Sequence, residues 1–280
     1  MRKILLWALG LTAVLSGAVV VARAAFGPFH LLVWVRSPLV GEGVAALAFT
    51  SLMLLRDGEP RAATGRPAIR SYALVLTLTA AALGASLWFP LVCDEYVLAT
   101  QGRAISWISA GRAFLQAGGD GFYRPLADLS LSVDALWAGL DPPGWHVLGL
   151  LLHLANTTLA LLLVWRLFRR PAVACWAAAL FGIHGARLEG MMFLARFDEL
   201  ATGFVLGGLL LFDEYLESQR TPLLALSFAV MLAGLLSKES AFVFPLLALW
   251  LAVLHRRLDW RPPDWRVVRP ILGYFALTAA

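Results

Sequence analysis

Apolar runs of near-spanning length, separated by short polar breaks, recur from one end of the chain to the other. A helix needs about 20 mostly apolar residues to cross the hydrocarbon layer of a bilayer. The pattern predicts eight spans, over residues 4–22, 37–55, 72–93, 145–167, 172–189, 199–213, 222–237 and 241–254. The run 37–55 contains Glu42 and the run 199–213 is short, so these two are the least regular. Pro270 to Ala280 reads as the first half of a ninth span, so the chain is expected to be the N-terminal part of a longer protein. The predicted fold class is all-α, a polytopic transmembrane bundle. Residues 1–70 supply two additional N-terminal helices, and residues 71–280 form the core with a long loop over 94–144. That loop is expected to be partly helical over Ala99 to Ala117, where Trp107 and Phe114 suit a helix lying in the headgroup layer.

Composition agrees: the chain is 60% hydrophobic and only 15% charged, unlike a soluble domain. Met1-Arg2-Lys3 and the run after it resemble a secretory signal. The run is longer than the usual signal core of about 7–15 residues, which favours an uncleaved first helix. A sequence pI near 9.7 raises the question of nucleic acid. The basic residues answer it. With the N-terminus in the cytoplasm, fifteen of the twenty-three Lys and Arg fall in cytoplasmic segments, and eight outside. That bias is the positive-inside pattern of membrane proteins and needs no nucleic-acid partner. The expected location is the plasma (inner) membrane. Cys93 and Cys175 stand in different spans without zinc-type spacing.

In this orientation three polar clusters share the outer face. The first is Asp94-Glu95, at the lip of a span, with Tyr123-Arg124-Pro125-Leu126 in the loop that follows. Carboxylates at a membrane boundary are costly to place, so they are either functional or a solvated helix end; Arg124 is either functional or a headgroup anchor. The second is His184 with Arg187 and Glu189, then Arg196-Phe197-Asp198-Glu199. His184 and Arg187 share a helix face at i, i+3. This set is either a site or an ion-pair network that locks helices together. The third is Leu236-Ser237-Lys238-Glu239, a short outer turn or a lysine that meets an anionic group. His153 and Asn156, at i, i+3 inside a span, are read as helix–helix hydrogen bonders. Asp128 and Asp134 in the loop are read as solvated.

Taken in order, these motifs resemble those of the C-superfamily of integral-membrane glycosyltransferases. The chain is most similar to the protein O-mannosyltransferase-like enzymes and the transmembrane, tetratricopeptide-repeat-containing O-mannosyltransferases. The likeness is carried by Asp94-Glu95, by Tyr123 to Leu126, by His184, Glu189, Arg196 and Asp198, and by Leu236 to Glu239. Pro143-Gly144-Trp145-His146 and the span containing His153 also fit, so the resemblance covers roughly residues 88–255. The chain departs from the pattern in its two extra N-terminal spans, in Gly185 and Arg187 after the histidine, and in Ala195 before Arg196.

The resemblance implies transfer of a mannose-like sugar from a polyprenyl-phosphate carrier to an acceptor hydroxyl of a protein, lipid or glycan at the outer face. It implies an inverting displacement with Asp94 as general base and Glu95 as a positioning group. Arg124, Arg196 and Lys238 would stabilise the phosphate leaving group, with Tyr123 and Asp198 in the same site. His184 and Glu189 would orient sugar or acceptor. The adjacent carboxylates are compatible with a divalent ion and do not require one; no other cofactor is implied. The competing readings are a secondary transporter and a non-catalytic membrane scaffold. Transporters place binding groups near the midplane and often carry internal repeats, whereas here the charges gather at one face and no repeat is visible.

Overall fold

Proline marks the first turn of four helices in the computed structural model, where its missing N–H costs nothing. These are α2 (Pro125–Ala138), α3 (Pro142–Phe168), α4 (Pro171–Ile183) and α6 (Thr221–Leu235). The others are α1 (Ile69–Leu83), extended by a 3₁₀ turn over Gly84–Trp88, then α5 (Arg196–Ser218), α7 (Phe244–Leu254), which follows a 3₁₀ turn over Glu239–Val243, and α8 (Trp265–Ala279). The structure describes residues 69–91, 111, 113–115, 122–139, 141–184, 196–254 and 264–279. All belong to the unit Gly65–Ala280. Among the described residues every regular element is helical, as the apolar pattern predicts.

Two segments, Ile69–Trp88 and Pro142–Phe168, are long and apolar enough to cross a membrane. They coincide with the predicted spans 72–93 and 145–167. The predicted spans 172–189, 222–237 and 241–254 correspond to shorter apolar helices. At 1.5 Å per residue, the 13 residues of α4 reach only about 20 Å, short of a ~30 Å hydrocarbon layer. α5 has the length, at 23 residues, but carries carboxylates at both ends. The predicted spans 4–22 and 37–55 lie outside the described residues.

Three local expectations are corrected: where the span after residue 172 ends, where Pro270 stands, and whether Asp134 is solvated. α4 ends at Ile183, so His184 lies beyond the helix in extended backbone and not within a span reaching 189; Gly185, a poor helix former, follows it in sequence. The helix at the chain end starts at Trp265, which places Pro270 inside α8. In the loop 94–144 the described helix is α2, downstream of Ala99 to Ala117, most of which lies outside the described residues. α2 is apolar on both sides. Leu131 and Ala135 face inward, whereas Val133, Leu136 and Trp137 are exposed. Asp134, expected in solvent, is 2% exposed.

α5 packs along α6 and α3, α3 along α4, and α4 along α1. The largest core joins Leu209, Phe212 and Leu216 of α5 to Met231, Phe244, Leu251, Ile271 and Tyr274. Tyr274 stacks on Phe228 and meets Phe212 and Phe244 edge-on. Its hydroxyl donates to Ser227 Oγ at 2.8 Å, and Ser227 donates to the Gly208 carbonyl at 2.8 Å, so this polar chain closes inside the core. Pro270 cannot donate to the carbonyl of Arg266 one turn earlier. Tyr215 Oη donates to that oxygen instead, at 2.9 Å. α4 approaches α1 closely at Gly182, where a Cβ would lie 2.2 Å from Thr79 Oγ1.

Candidate functional site

A small apolar platform brings together the flanks of the sequence clusters. Leu131 and Ala135 of α2 pack with Trp145 at the start of α3, and Leu91 and Phe197 pack against them. Leu91 lies three residues before Asp94, and Phe197 stands beside Asp198. Three bonds fix the platform. His146 Nε2 donates to the Phe89 carbonyl at 3.1 Å, because a carbonyl only accepts. Trp145 Nε1 donates to the Gly139 carbonyl at 3.0 Å. Gly139 ends α2 at φ 59°, a conformation that glycine adopts without a Cβ clash. The main chain of Leu126 donates to the Leu236 carbonyl at 3.1 Å, which ties the start of α2 to the end of α6.

Two ion pairs stand over this junction. Arg124, at the N-terminal boundary of α2, grips Glu239 through Nε at 2.8 Å and Nη2 at 2.6 Å. This is the two-pronged geometry that makes arginine a carboxylate or phosphate receptor. The Arg124 guanidinium also lies 4.2 Å over the Phe122 ring. Lys238 Nζ donates to Asp198 Oδ2 at 2.6 Å. Partial burial pushes the Glu239 carboxyl up, but the Arg124 bonds, aided by Lys238, outweigh it and hold the group below its ordinary range. Lys238 and Glu239 are neighbours in the turn after α6, so the first, second and third clusters meet there.

Beneath Asp198 lies a buried polar layer. Asn156 Nδ2 donates to both the backbone carbonyl and Oε2 of Glu199, at 2.8 and 2.7 Å. His153 Nε2 donates to the Gly182 carbonyl at 2.9 Å, and its Nδ1 is 3.3 Å from Glu199 Oε2. The i, i+3 pair His153 and Asn156 thus links helices, as the sequence predicts. Glu199, which sequence analysis placed in the second cluster without a role of its own, is the carboxylate that meets both.

Of the predicted site residues, the structure brings Arg124, Asp198 and Lys238 together. Tyr123 precedes Arg124 and donates through its hydroxyl to the Phe114 carbonyl at 2.9 Å. His184 follows α4 and is exposed. Arg196 opens α5, and its side chain lies outside the described residues, as do Asp94, Glu95 and Glu189. Glu239, which sequence analysis placed in the third cluster without a role, partners Arg124.

A second charged cluster sits at the far end of α3. Arg166 contacts Asp213, Glu214 at 2.7 Å and Glu217 at 3.0 Å, and Arg169 reaches Glu217 at 3.4 Å. The sequence reads Arg166 as an orientation signal alone; here it also joins α3 to α5. A groove of about 610 Å³, lined by Ile69, Tyr72, Leu161, Leu162, Trp165 and Arg166 among others, lies toward that end and holds none of the predicted site residues.

No family model matches the sequence, and no solved structure matches it. Over 138 residues the chain is 30% identical to "Protein O-mannosyl-transferase Tmtc1" of Drosophila melanogaster. The matched stretch is 49% of this chain and 16% of that relative, so the similarity takes in about one sixth of the relative's length. This similarity supports an O-mannosyltransferase-like relationship, carried by about half of the chain.

Proposed function

We propose that the chain forms the catalytic part of a multi-pass membrane glycosyltransferase that moves a mannose-like sugar from a polyprenyl-phosphate carrier to a hydroxyl of a protein acceptor. The reading rests on one observation above the others: Arg124, Glu239, Lys238 and Asp198, from three separated stretches of chain, pair off at one junction. The similarity to a protein O-mannosyltransferase supports the reaction class. The exposed apolar side of α2, with Val133, Leu136 and Trp137, suits a helix seated at a membrane surface and supports a lipid-borne donor. The positive-inside bias assigns the N-terminus to the cytoplasm and the site to the outer face.

In this mechanism the acceptor oxygen attacks the anomeric carbon as its proton passes to Asp94. The bond from that carbon to the phosphate oxygen breaks, its electron pair leaves with the polyprenyl phosphate, and the configuration inverts. Glu95 positions the acceptor. Arg124, Arg196 and Lys238 meet the charge that grows on the leaving phosphate, with arginine suited to hold two of its oxygens. Arg124 is held by Glu239 and Lys238 by Asp198, and the phosphate would compete with these carboxylates for the two cations.

The test is transfer by the purified full chain in lipid nanodiscs, given polyprenyl-phosphate mannose and a serine- and threonine-rich polypeptide. Asp94→Asn is expected to lower transfer by about 10²–10⁴-fold while leaving thermal unfolding unchanged, the usual loss for a general base. Full transfer by a folded Asp94→Asn protein would remove the base assignment. Solute flux in proteoliposomes without sugar transfer would favour a transporter instead.

A further inference from the structure

Arg124 and Glu239 share their ion pair unequally. The Arg124 side chain is 16% exposed and that of Glu239 56%. The cation is the fixed partner. The Phe122 ring lies 4.2 Å from Arg124 Cζ. Arg124 itself stands at the boundary of α2, whose first turn is fastened to the end of α6 by the Leu126 N–H and the Leu236 carbonyl. Glu239 opens the short 3₁₀ turn before α7. A carboxylate that swings off from there enters water, so its release leaves no buried negative charge behind. A shielded guanidinium left without an anion is the costlier state. The cation therefore stays, and the anion on it is the part that can be exchanged.

Lys238 and Asp198 are the opposite case. Asp198 is only 17% exposed, and leaving Lys238 would strand its carboxylate. The turn of α5 that carries it is bound to α3 by Asn156, which donates to the Glu199 carbonyl at 2.8 Å. Lys238 does not have to release it. An ammonium has three N–H groups, so two remain for a phosphate when one serves Asp198.

The two anions that compete for Arg124 are chemically matched. A carboxylate and a phosphodiester each present two oxygens that share one negative charge, and the Nε and Nη2 edge of arginine takes either. Glu239 occupies that edge at 2.8 and 2.6 Å. Transfer converts the diester donor into a polyprenyl phosphate monoester, which carries more negative charge and is held more tightly by the same edge. A carboxylate tethered beside the edge competes at high effective concentration, which favours departure of that product.

We propose that Glu239 is a displaceable latch on Arg124: it yields the guanidinium to the phosphodiester of an arriving donor and reclaims it as the polyprenyl phosphate product departs, while Asp198 stays on Lys238. The inference rests on the proposed function and adds to it a positioning residue that acts through Arg124.

The test is binding of polyprenyl phosphate to the full chain in lipid nanodiscs, measured by native mass spectrometry. Wild type is compared with Glu239→Gln, Arg124→Gln and the double variant. Glutamine at 239 keeps the shape and gives up the charge. Glu239→Gln is expected to bind about fivefold more tightly, the equivalent of about 1 kcal/mol and the upper range for an exposed ion pair. In the Arg124→Gln background the same substitution is expected to leave binding unchanged. Misfolding does not produce a gain of binding, so the result does not depend on the variant's stability. Unchanged or weaker binding in Glu239→Gln overturns the latch; weaker binding is the outcome if Glu239 stays in place and presents the other N–H groups of Arg124. An equal gain in both backgrounds also overturns it, because any nearby negative charge then accounts for the effect.

The transfer assay gives a second reading. Glu239→Gln is expected to lower KM for polyprenyl-phosphate mannose and to deepen inhibition by added polyprenyl phosphate, each by about fivefold. A lower kcat with KM and inhibition unchanged contradicts the latch. If wild type transfers sugar and Glu239→Gln binds no tighter, the latch alone fails. If wild type transfers nothing while the lipid phosphate binds and responds as expected, the proposed function fails and the latch stands. If no form binds the lipid phosphate, both fail.

Discussion

Lys238 donates to Asp198 across 2.6 Å, although the two lie 40 residues apart and close opposite ends of a helical hairpin. α5 and α6 are joined by only Gln219 and Arg220, so the helices are forced antiparallel and the start of one meets the end of the other. The pair therefore closes the open end of the hairpin. It also sets the register of the turn that carries Glu239.

The pair is partly shielded, with Lys238 24% and Asp198 17% exposed. Lys238→Met is expected to cost about 1.5–3 kcal/mol, the range for a hydrogen bond to a charged group. Exchanging the charges, Asp198→Lys with Lys238→Asp, should recover much of that stability and leave transfer lost. Thermal unfolding read beside the transfer assay separates the two effects.

Arg124 and Glu239 behave differently, because Glu239 is 56% exposed. Arg124→Lys forfeits the two-pronged grip but is expected to change overall stability by less than about 1 kcal/mol; its effect under the proposed function falls on transfer. The pH dependence has a definite sign. The folded Glu239 carboxyl lies below its ordinary value of 4.5, so its contribution is present above that value and is lost as pH falls through the lowered folded one. Proteolysis at the residue 122–125 segment is expected to rise in that acid window in wild type. In Glu239→Gln that step should be absent.

At the other end of α3, Asp213 is fully buried beside Arg166, whereas Arg169 and Glu217 are both more than one third exposed. Arg166→Met removes the cation from beside a buried carboxylate and is expected to cost about 3–5 kcal/mol. Arg169→Ala should cost under about 1 kcal/mol. Comparable losses in the two variants, measured by denaturant unfolding, would contradict this division.

Tyr215 and Pro270 form a compensating pair. Tyr215→Phe removes the donor to the Arg266 carbonyl and is expected to cost about 0.5–1.5 kcal/mol, the net worth of a part-buried hydrogen bond. In a Pro270→Ala background the restored N–H at 270 can serve that carbonyl, so the cost of Tyr215→Phe should shrink. A double-mutant cycle measures the difference.

The all-helical character followed from the apolar runs, because burial and backbone satisfaction act locally and leave their period in the sequence. Pro142, Pro171 and Pro222 stand within three residues of the predicted span starts at 145, 172 and 222. Helix ends were less legible: α4 stops at Ile183, and α2 sits in a stretch read as loop. The apolar content there does not say whether Asp134 faces water or a neighbour, and it faces a neighbour. The clusters around Arg124, Asp198 and Lys238 could be found as residue types in order. Their partners could not. Arg124 with Glu239 spans 115 residues of sequence, and Glu199 with Asn156 spans 43. Such pairings depend on which helix ends are brought together and on the 100° that separates Asp198 from Glu199, and those are settled only when the helices pack.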